Sequence, residues 1–217
     1  MTNFILDFNS VGPLSKNKPR QAIVLCHGYG GDGKDISVLA MNWQRFLPDT
    51  IFLCPNAPEI CADNPNGYQW FDMTSSEEIT LKKSLIAEEK LNKFLDQVIN
   101  NFQLEPSKLA LVGFSQGCMI SIQAGLKRRE KINCIVGYSG KVINKKHLTE
   151  NINSNPKIFL MHGANDNIVP PTNLLEAKEC LNKFGLKIKT KLFKNCEHSI
   201  PVEGVSLGLA FLKKNLL

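Results

Sequence analysis

The stretch that most constrains the fold is Leu109 to Leu126, reading Leu-Ala-Leu-Val-Gly-Phe-Ser-Gln-Gly-Cys-Met-Ile-Ser-Ile-Gln-Ala-Gly-Leu. Leu109 to Val112 is a short, continuously apolar run, the pattern of a strand covered on both faces in a parallel sheet, while Cys118 to Leu126 suits a buried helix. Between them stands Gly113-Phe114-Ser115-Gln116-Gly117. A Gly-x-Ser-x-Gly joint from strand to helix turns so sharply that its central serine is held strained and exposed at the carboxyl edge of the sheet. Side chains two positions before and after the serine would collide, so glycine fits both. The following helix aims its positive end and free N–H groups at the serine, where a developing oxyanion would be stabilised. Ser115 is therefore the candidate nucleophile.

The remainder of the chain alternates strand and helix patterns. Apolar strand runs occur at 22–26, 51–54, 132–138 and 157–161, with Phe4 to Phe8 as an edge strand. Helical patterns cover about 36–46, 76–102 and 202–215, and a further helix capped by Thr172 runs to about Phe184, with Gly185 as its stop. Lys187, Lys189 and Lys191 alternate with Ile188, Thr190 and Leu192, as in a half-exposed strand near a sheet edge, where lysines discourage pairing with other chains. Such alternation implies an α/β fold with a mostly parallel central sheet, helices on both faces and ligands bound outside the strands' carboxyl ends. No linker, repeat or low-complexity tract divides the 217 residues, so a single domain over 1–217 is expected.

Several function classes are disfavoured. The net charge of +6 is spread along the chain; the tight clusters Lys127-Arg128-Arg129 and Lys145-Lys146 lack neighbouring aromatics for base stacking, so no nucleic-acid partner is expected. Attraction to an anionic membrane surface fits the charge, but no apolar run approaches the roughly 18 residues of a span, so stable insertion is not expected. The N-terminal Met-Thr-Asn-Phe-Ile-Leu-Asp-Phe has no basic region, and no signal peptide is read there. Seven cysteines, with Cys26, Cys54 and Cys134 inside apolar runs and no Cys-x-x-Cys pair, suit reduced buried thiols in a cytoplasmic protein, without a disulfide framework or metal site. The loop His27-Gly28-Tyr29-Gly30-Gly31-Asp32-Gly33-Lys34-Asp35 mimics two nucleotide motifs. Asp35 stands where a phosphate loop needs Ser or Thr, and the run Ile51 to Cys54 ends in Pro55 with no ribose-binding acid, so no cofactor is expected.

A serine hydroxyl needs a base to take its proton, and the base needs an acid to fix its tautomer and stabilise the imidazolium. Ser115, Asp166 and His198 occur in the chain order this architecture uses, each in a loop after a strand pattern. His147 lies in a polar, lysine-rich segment and reads as a surface residue. Ser139, in Gly137-Tyr138-Ser139-Gly140, has Lys141 where an elbow needs glycine and reads as a loop residue near the site. The glycine-rich loop suits Tyr29 as a backbone N–H donor to the oxyanion, paired with the N–H of Gln116, while His27 orients the loop by hydrogen bonding. The long stretch 56–76 carries Tyr68-Gln69-Trp70-Phe71-Asp72; its aromatics either pin the loop to the core or line an acyl-binding groove. Cys118 reads as packing.

Taken in order, His27-Gly28-Tyr29-Gly30, Trp70-Phe71-Asp72, Gly113 to Gly117, Tyr138-Ser139-Gly140 and His162-Gly163-x-x-Asp166-x-x-Val169-Pro170 resemble the phospholipase/carboxylesterase family of α/β-hydrolases, which includes the acyl-protein thioesterases. The resemblance runs from about Arg20 onward. It implies an α/β-hydrolase without a large lid domain that cleaves carboxylic esters or thioesters, with Ser115, Asp166 and His198 as triad, Tyr29 and Gln116 as oxyanion donors, and Trp70, Phe71 and Ile168 along the acyl groove. Lysophospholipase action on membrane-derived lipids is the alternative within this fold, and a non-catalytic binding protein the alternative outside it; an intact triad and elbow speak against the latter. Glu197 departs from the family, which has glycine before the histidine; a carboxylate there is expected to favour the imidazolium of His198 or tighten its loop. Oligomeric state is not readable from the sequence.

Overall fold

The computed structural model describes residues 4–73 and 76–217. Met1, Thr2 and Asn3 of the N-terminal stretch, and Thr74 and Ser75 at the end of the long loop, lie outside the described residues. The strands are β1 (Phe8–Val11), β2 (Gln21–Cys26), β3 (Thr50–Pro55), β4 (Glu59–Ile60), β5 (Tyr68–Gln69), β6 (Leu109–Phe114), β7 (Cys134–Tyr138), β8 (Lys157–Gly163) and β9 (Ile188–Phe193). Among the described residues, seven of them form one sheet in the order β1-β3-β2-β6-β7-β8-β9, with β1 antiparallel to β3 and the remaining neighbours parallel; β4 and β5 make a separate short hairpin. The helices are α1 (Gly33–Trp43), α2 (Glu77–Phe102), α3 (Gln116–Lys127), α4 (Lys145–Glu150), α5 (Thr172–Asn182) and α6 (Val202–Leu216).

Strand periodicity explains the layers. Successive side chains alternate faces, so Val24, Leu111, Ile135 and Leu160 pack with α2, α3 and α5, while Ile23, Val112, Val136 and Phe159 pack with α1 and α6. Both faces are covered, so β2, β3 and β7 are buried at every position and read as unbroken apolar runs. Among the described residues no large lid domain stands over the carboxyl edge, no helix is long and apolar enough to cross a membrane, and no group of His, Cys, Asp and Glu is placed to hold a metal ion. All seven cysteines are free; burial pushes the thiols of Cys26, Cys54, Cys118 and Cys134 up to about 12, so these four pack as small apolar groups.

Several boundaries differ from the sequence reading. The edge strand begins at Phe8, because Asp7 first accepts from Asn56 N–H (2.7 Å); Phe4 instead packs its ring on Phe8 and Phe94. With one neighbour and an exposed middle, β1 carries little apolar signal. α1 starts at Gly33 because Asp32 caps it, accepting from Asp35 N–H (2.7 Å). Thr172 is the first helical residue of α5, with Pro171 at the cap position and no side-chain cap bond. α4 leaves no periodic mark in the sequence, since only Leu148 of its six residues is buried.

Candidate active site

β6 delivers Ser115 through the elbow. The serine sits at φ 52°, ψ −117°, a conformation that costs a non-glycine residue about 1–3 kcal/mol. A Cβ at Gly113 would lie 2.3 Å from the Gly117 carbonyl oxygen, and one at Gly117 would lie 2.1 Å from that of Cys26, so the turn closes only with both glycines. Ser115 N–H donates to Tyr138 O (2.8 Å), anchoring the turn to β7.

Asp166 follows β8 and His198 follows β9. Their loops are joined by Ala164 N–H to Phe193 O (2.8 Å) and Asn165 N–H to Cys196 O (2.9 Å), and they approach so closely that a Cβ at Gly163 would meet the carbonyl oxygens of Cys196 and Glu197 at 2.3 Å. The result is an unbroken hydrogen-bond chain. His198 Nε2 is 2.9 Å from Ser115 Oγ, and His198 Nδ1 is 2.8 Å from Asp166 Oδ2. Asp166 Oδ1 accepts from the N–H groups of Ile168 (3.0 Å) and Val169 (2.8 Å). Burial is the largest influence on the Asp166 carboxyl and opposes its ionisation, but the hydrogen bonds from His198, Val169 and Ile168 together outweigh it and hold the pKa below the usual carboxylate value. An ionised acid only accepts, so the network assigns the imidazole proton to Nδ1 and leaves Nε2 free to accept from Ser115.

The glycine-rich loop lies against Ser115: a Cβ at Gly28 would be 3.3 Å from Ser115 Cβ. Within it Gly30 N–H donates to Tyr68 O, Gly31 N–H to Gly28 O and Gly33 N–H to Asn56 Oδ1. Among the described residues the N–H groups of Tyr29 and Gln116 donate to no protein acceptor. His27 is buried and serves as an orienting group: Nε2 accepts from Ala57 N–H (3.0 Å), so Nδ1 carries the proton and donates to Gly28 O (2.7 Å). Burial lowers its pKa, against the opposing pull of the Gly28 carbonyl and of Asp32 and Asp35, so the ring stays neutral.

The groove assignment of Trp70 and Phe71 is corrected. Both are 0% exposed and present no surface to a ligand. Trp70 Nε1–H donates to His27 O (3.0 Å), and the main chain of the pair is held by the Gln116 carboxamide, so they brace the loop from beneath. Trp70→Ala is accordingly expected to destabilise the fold by about 3–5 kcal/mol, the usual cost of emptying a buried tryptophan site, as read by urea unfolding. Ile168, by contrast, is 68% exposed on the Asp166 loop. A cavity of about 240 Å³ opens between His27, Gly28, Tyr29, Ile36 and Phe114, the last of these the residue before Ser115 in the chain.

The remaining residues fall in place. His162, at the end of β8, is buried, and its Nε2–H donates to Val169 O (2.9 Å) while lying 3.2 Å from Asp166 Oδ2. Only its position four residues before the acid hints at this. Ser139 is buried with φ 49°, and among the described residues its hydroxyl has no hydrogen-bond partner and hence no base. His147, on α4, lies 3.3 Å through Nε2 from Nζ of Lys127 at the end of α3. The Glu197 side chain is exposed and, among the described residues, has no hydrogen bond or ion pair, so the grip on His198 comes from Asp166.

A model of the phospholipase/carboxylesterase family matches residues 13–216. Acyl-protein thioesterase 1 of Aspergillus fumigatus is 30% identical over 220 residues, spanning 91% of this chain and 88% of that protein, and that of Emericella nidulans is 28% identical over 207 residues, spanning 86% and 87%. The crystal structure of esterase PE8 superposes with a TM-score of 0.93 at 32% identity, covering 97% of this chain and 99% of that one.

Proposed function

The chain belongs to the phospholipase/carboxylesterase family of α/β-hydrolases and is an ester- or thioester-cleaving enzyme; from that premise we propose that it is a serine hydrolase working through Ser115, His198 and Asp166 by way of an acyl-enzyme. Ser115 Oγ attacks the acyl carbonyl carbon while His198 Nε2 takes its proton, and Asp166 stabilises the imidazolium so formed. The carbonyl oxygen, now an oxyanion, is met by the N–H groups of Tyr29 and Gln116. On collapse, His198 returns the proton to the leaving alcohol or thiol, and the acyl group stays on Ser115. Water, deprotonated by the same histidine, then releases the acid. The single observation that carries this reading is the chain from Ser115 Oγ through both nitrogens of His198 to Asp166, at 2.9 and 2.8 Å. The proposed residues all hang from one sheet, which supports 1–217 acting as one catalytic domain, and the free, buried cysteines fit a reducing compartment such as the cytoplasm.

Substrate size is read from the cavity between the Gly28 loop and Phe114, the residue before Ser115. A cavity of about 240 Å³ lies below the roughly 300–1,000 Å³ of sites that enclose drug-sized ligands, which suits short acyl groups. Each buried methylene contributes about 0.8 kcal/mol, so two are worth about tenfold in kcat/KM. With p-nitrophenyl esters, kcat/KM is expected to rise about tenfold from acetate to butyrate and to level off before octanoate, where the chain can reach only exposed surface such as Ile168. A steady climb through dodecanoate, or preferred turnover of a long-chain lysophospholipid, would refute the short-acyl assignment.

A further inference from the structure

One segment, residues 57–71 between β3 and α2, grips both halves of the oxyanion hole. On the elbow side, the buried Gln116 carboxamide accepts from Trp70 N–H through Oε1 (2.8 Å) and donates to Phe71 O through Nε2 (2.6 Å). The side chain of Gln116 is thereby fixed by partners 45 and 46 residues away in sequence, while its own N–H, next in the chain to Ser115, donates to no protein acceptor among the described residues. On the loop side, Ala57 N–H dictates the tautomer of His27, and His27 Nδ1–H holds the Gly28 carbonyl. That carbonyl and Tyr29 N–H belong to one planar trans peptide and point in opposite directions, so gripping the first aims the second. Trp70 Nε1–H on His27 O links the two sides, and Asn64 Nδ2 holds the Gly30 carbonyl (2.8 Å) while Tyr68 O takes Gly30 N–H (2.9 Å). Gly30 itself sits at φ 76° with Gly67 packed against its carbonyl, where a Cβ would clash at 2.1 Å.

We propose that residues 57–71 form the positioning frame of the oxyanion hole, and that His27 and Gln116 act through their side chains as positioning residues that aim the Tyr29 and Gln116 N–H groups at the developing oxyanion. This rests on the serine-hydrolase reading above and deepens it. The buried Trp70 and Phe71 thereby couple the two grips of the frame. A donor misaimed by some tenths of an ångström binds the ground-state carbonyl almost as before but loses the transition state, where the full charge develops.

The test uses the full-length enzyme with His27→Leu, His27→Asn and Gln116→Met, assayed on p-nitrophenyl butyrate and against an alkyl trifluoromethyl ketone, which adds to a serine to give a tetrahedral oxyanion. Losing one oxyanion donor outright costs about 10²–10³ in kcat, so His27→Leu and Gln116→Met are expected to lower kcat about 30- to 100-fold, leave KM within about twofold and weaken ketone binding by the same factor as kcat. His27→Asn, whose Nδ2–H can still reach the Gly28 carbonyl, is expected to recover most of the loss. Should His27→Leu fail to fold, Asn64→Ala on the half-buried hairpin loop is expected to lower kcat about five- to tenfold with the same signature. Unchanged kcat, or equal losses in the Leu and Asn variants with ketone affinity unmoved, would reduce the frame to packing and overturn the proposal. Wild-type enzyme that does not bind the ketone at all would point instead to failure of the serine-hydrolase reading.

Discussion

Replacing His198 with alanine is expected to lower kcat on p-nitrophenyl butyrate by about 10⁵-fold, equivalent to about 7 kcal/mol of transition-state stabilisation. The ring is the one group bonded to Ser115 Oγ in the proposed triad, and among the described residues no other side chain forms a hydrogen bond to that hydroxyl. Without it the hydroxyl keeps its proton, and what survives is the part of catalysis supplied by binding and the oxyanion donors. KM is expected to stay within a few-fold, since the cavity proposed to take the acyl group is lined by the Gly28 loop and Phe114 and not by His198. Steady-state kinetics checked against an unchanged thermal melt separate this outcome from misfolding. A loss under tenfold would mean that the base is some other group.

Asp166→Asn carries the second large effect, about 10⁴-fold in kcat. Oδ1 accepts two backbone N–H groups, so the carboxamide oxygen is held at that position and the NH₂ is placed where Oδ2 now faces His198. The amide then donates to Nδ1, the proton of the imidazole moves to Nε2, and the ring can no longer accept from Ser115. The variant also removes an ionised group whose folded pKa is held below the ordinary aspartate value. Such a carboxylate stabilises the fold above its unfolded pKa, and the contribution is lost as pH falls through the folded value. Wild-type stability should therefore fall on acidification below about pH 4 in part through Asp166, and the Asn variant should show a shallower fall in urea titrations at successive pH values.

How much of the fold and site is legible in the sequence depends on the range of the contacts involved. The elbow is a local device: a strand run, two glycines and a helix are all within Leu109 to Leu126, and the clashes at Gly113 and Gly117 involve backbone fixed by that same turn or by the adjacent strand. Ser115, Asp166 and His198, the proposed triad, can be singled out in the sequence because each follows a strand pattern, and a parallel sheet puts all such ends on one edge. Trp70 and Phe71 mislead because their burial is decided at long range, by Gln116 and His27, while an aromatic cluster in a long loop looks the same whether it faces a ligand or the core. The β4–β5 hairpin has two residues per strand, too few for a periodic signal, yet its hydrogen bonds hold the Gly30 region of the glycine-rich loop. His162 is hidden for a related reason: its contact with Asp166 comes from the curl of one loop, and a lone histidine at a strand end carries no pattern of its own.

Chemical trapping at the nucleophile bears most directly on the central claim. Full-length protein treated with an alkyl fluorophosphonate and digested should yield, by mass spectrometry, one phosphonylated peptide spanning 109–127 with the adduct on Ser115, in parallel with complete loss of esterase activity, and Ser115→Ala should show neither labelling nor turnover. Stoichiometric labelling of Ser139 or another hydroxyl, or a Ser115→Ala variant that still hydrolyses esters at the wild-type rate, would contradict the account.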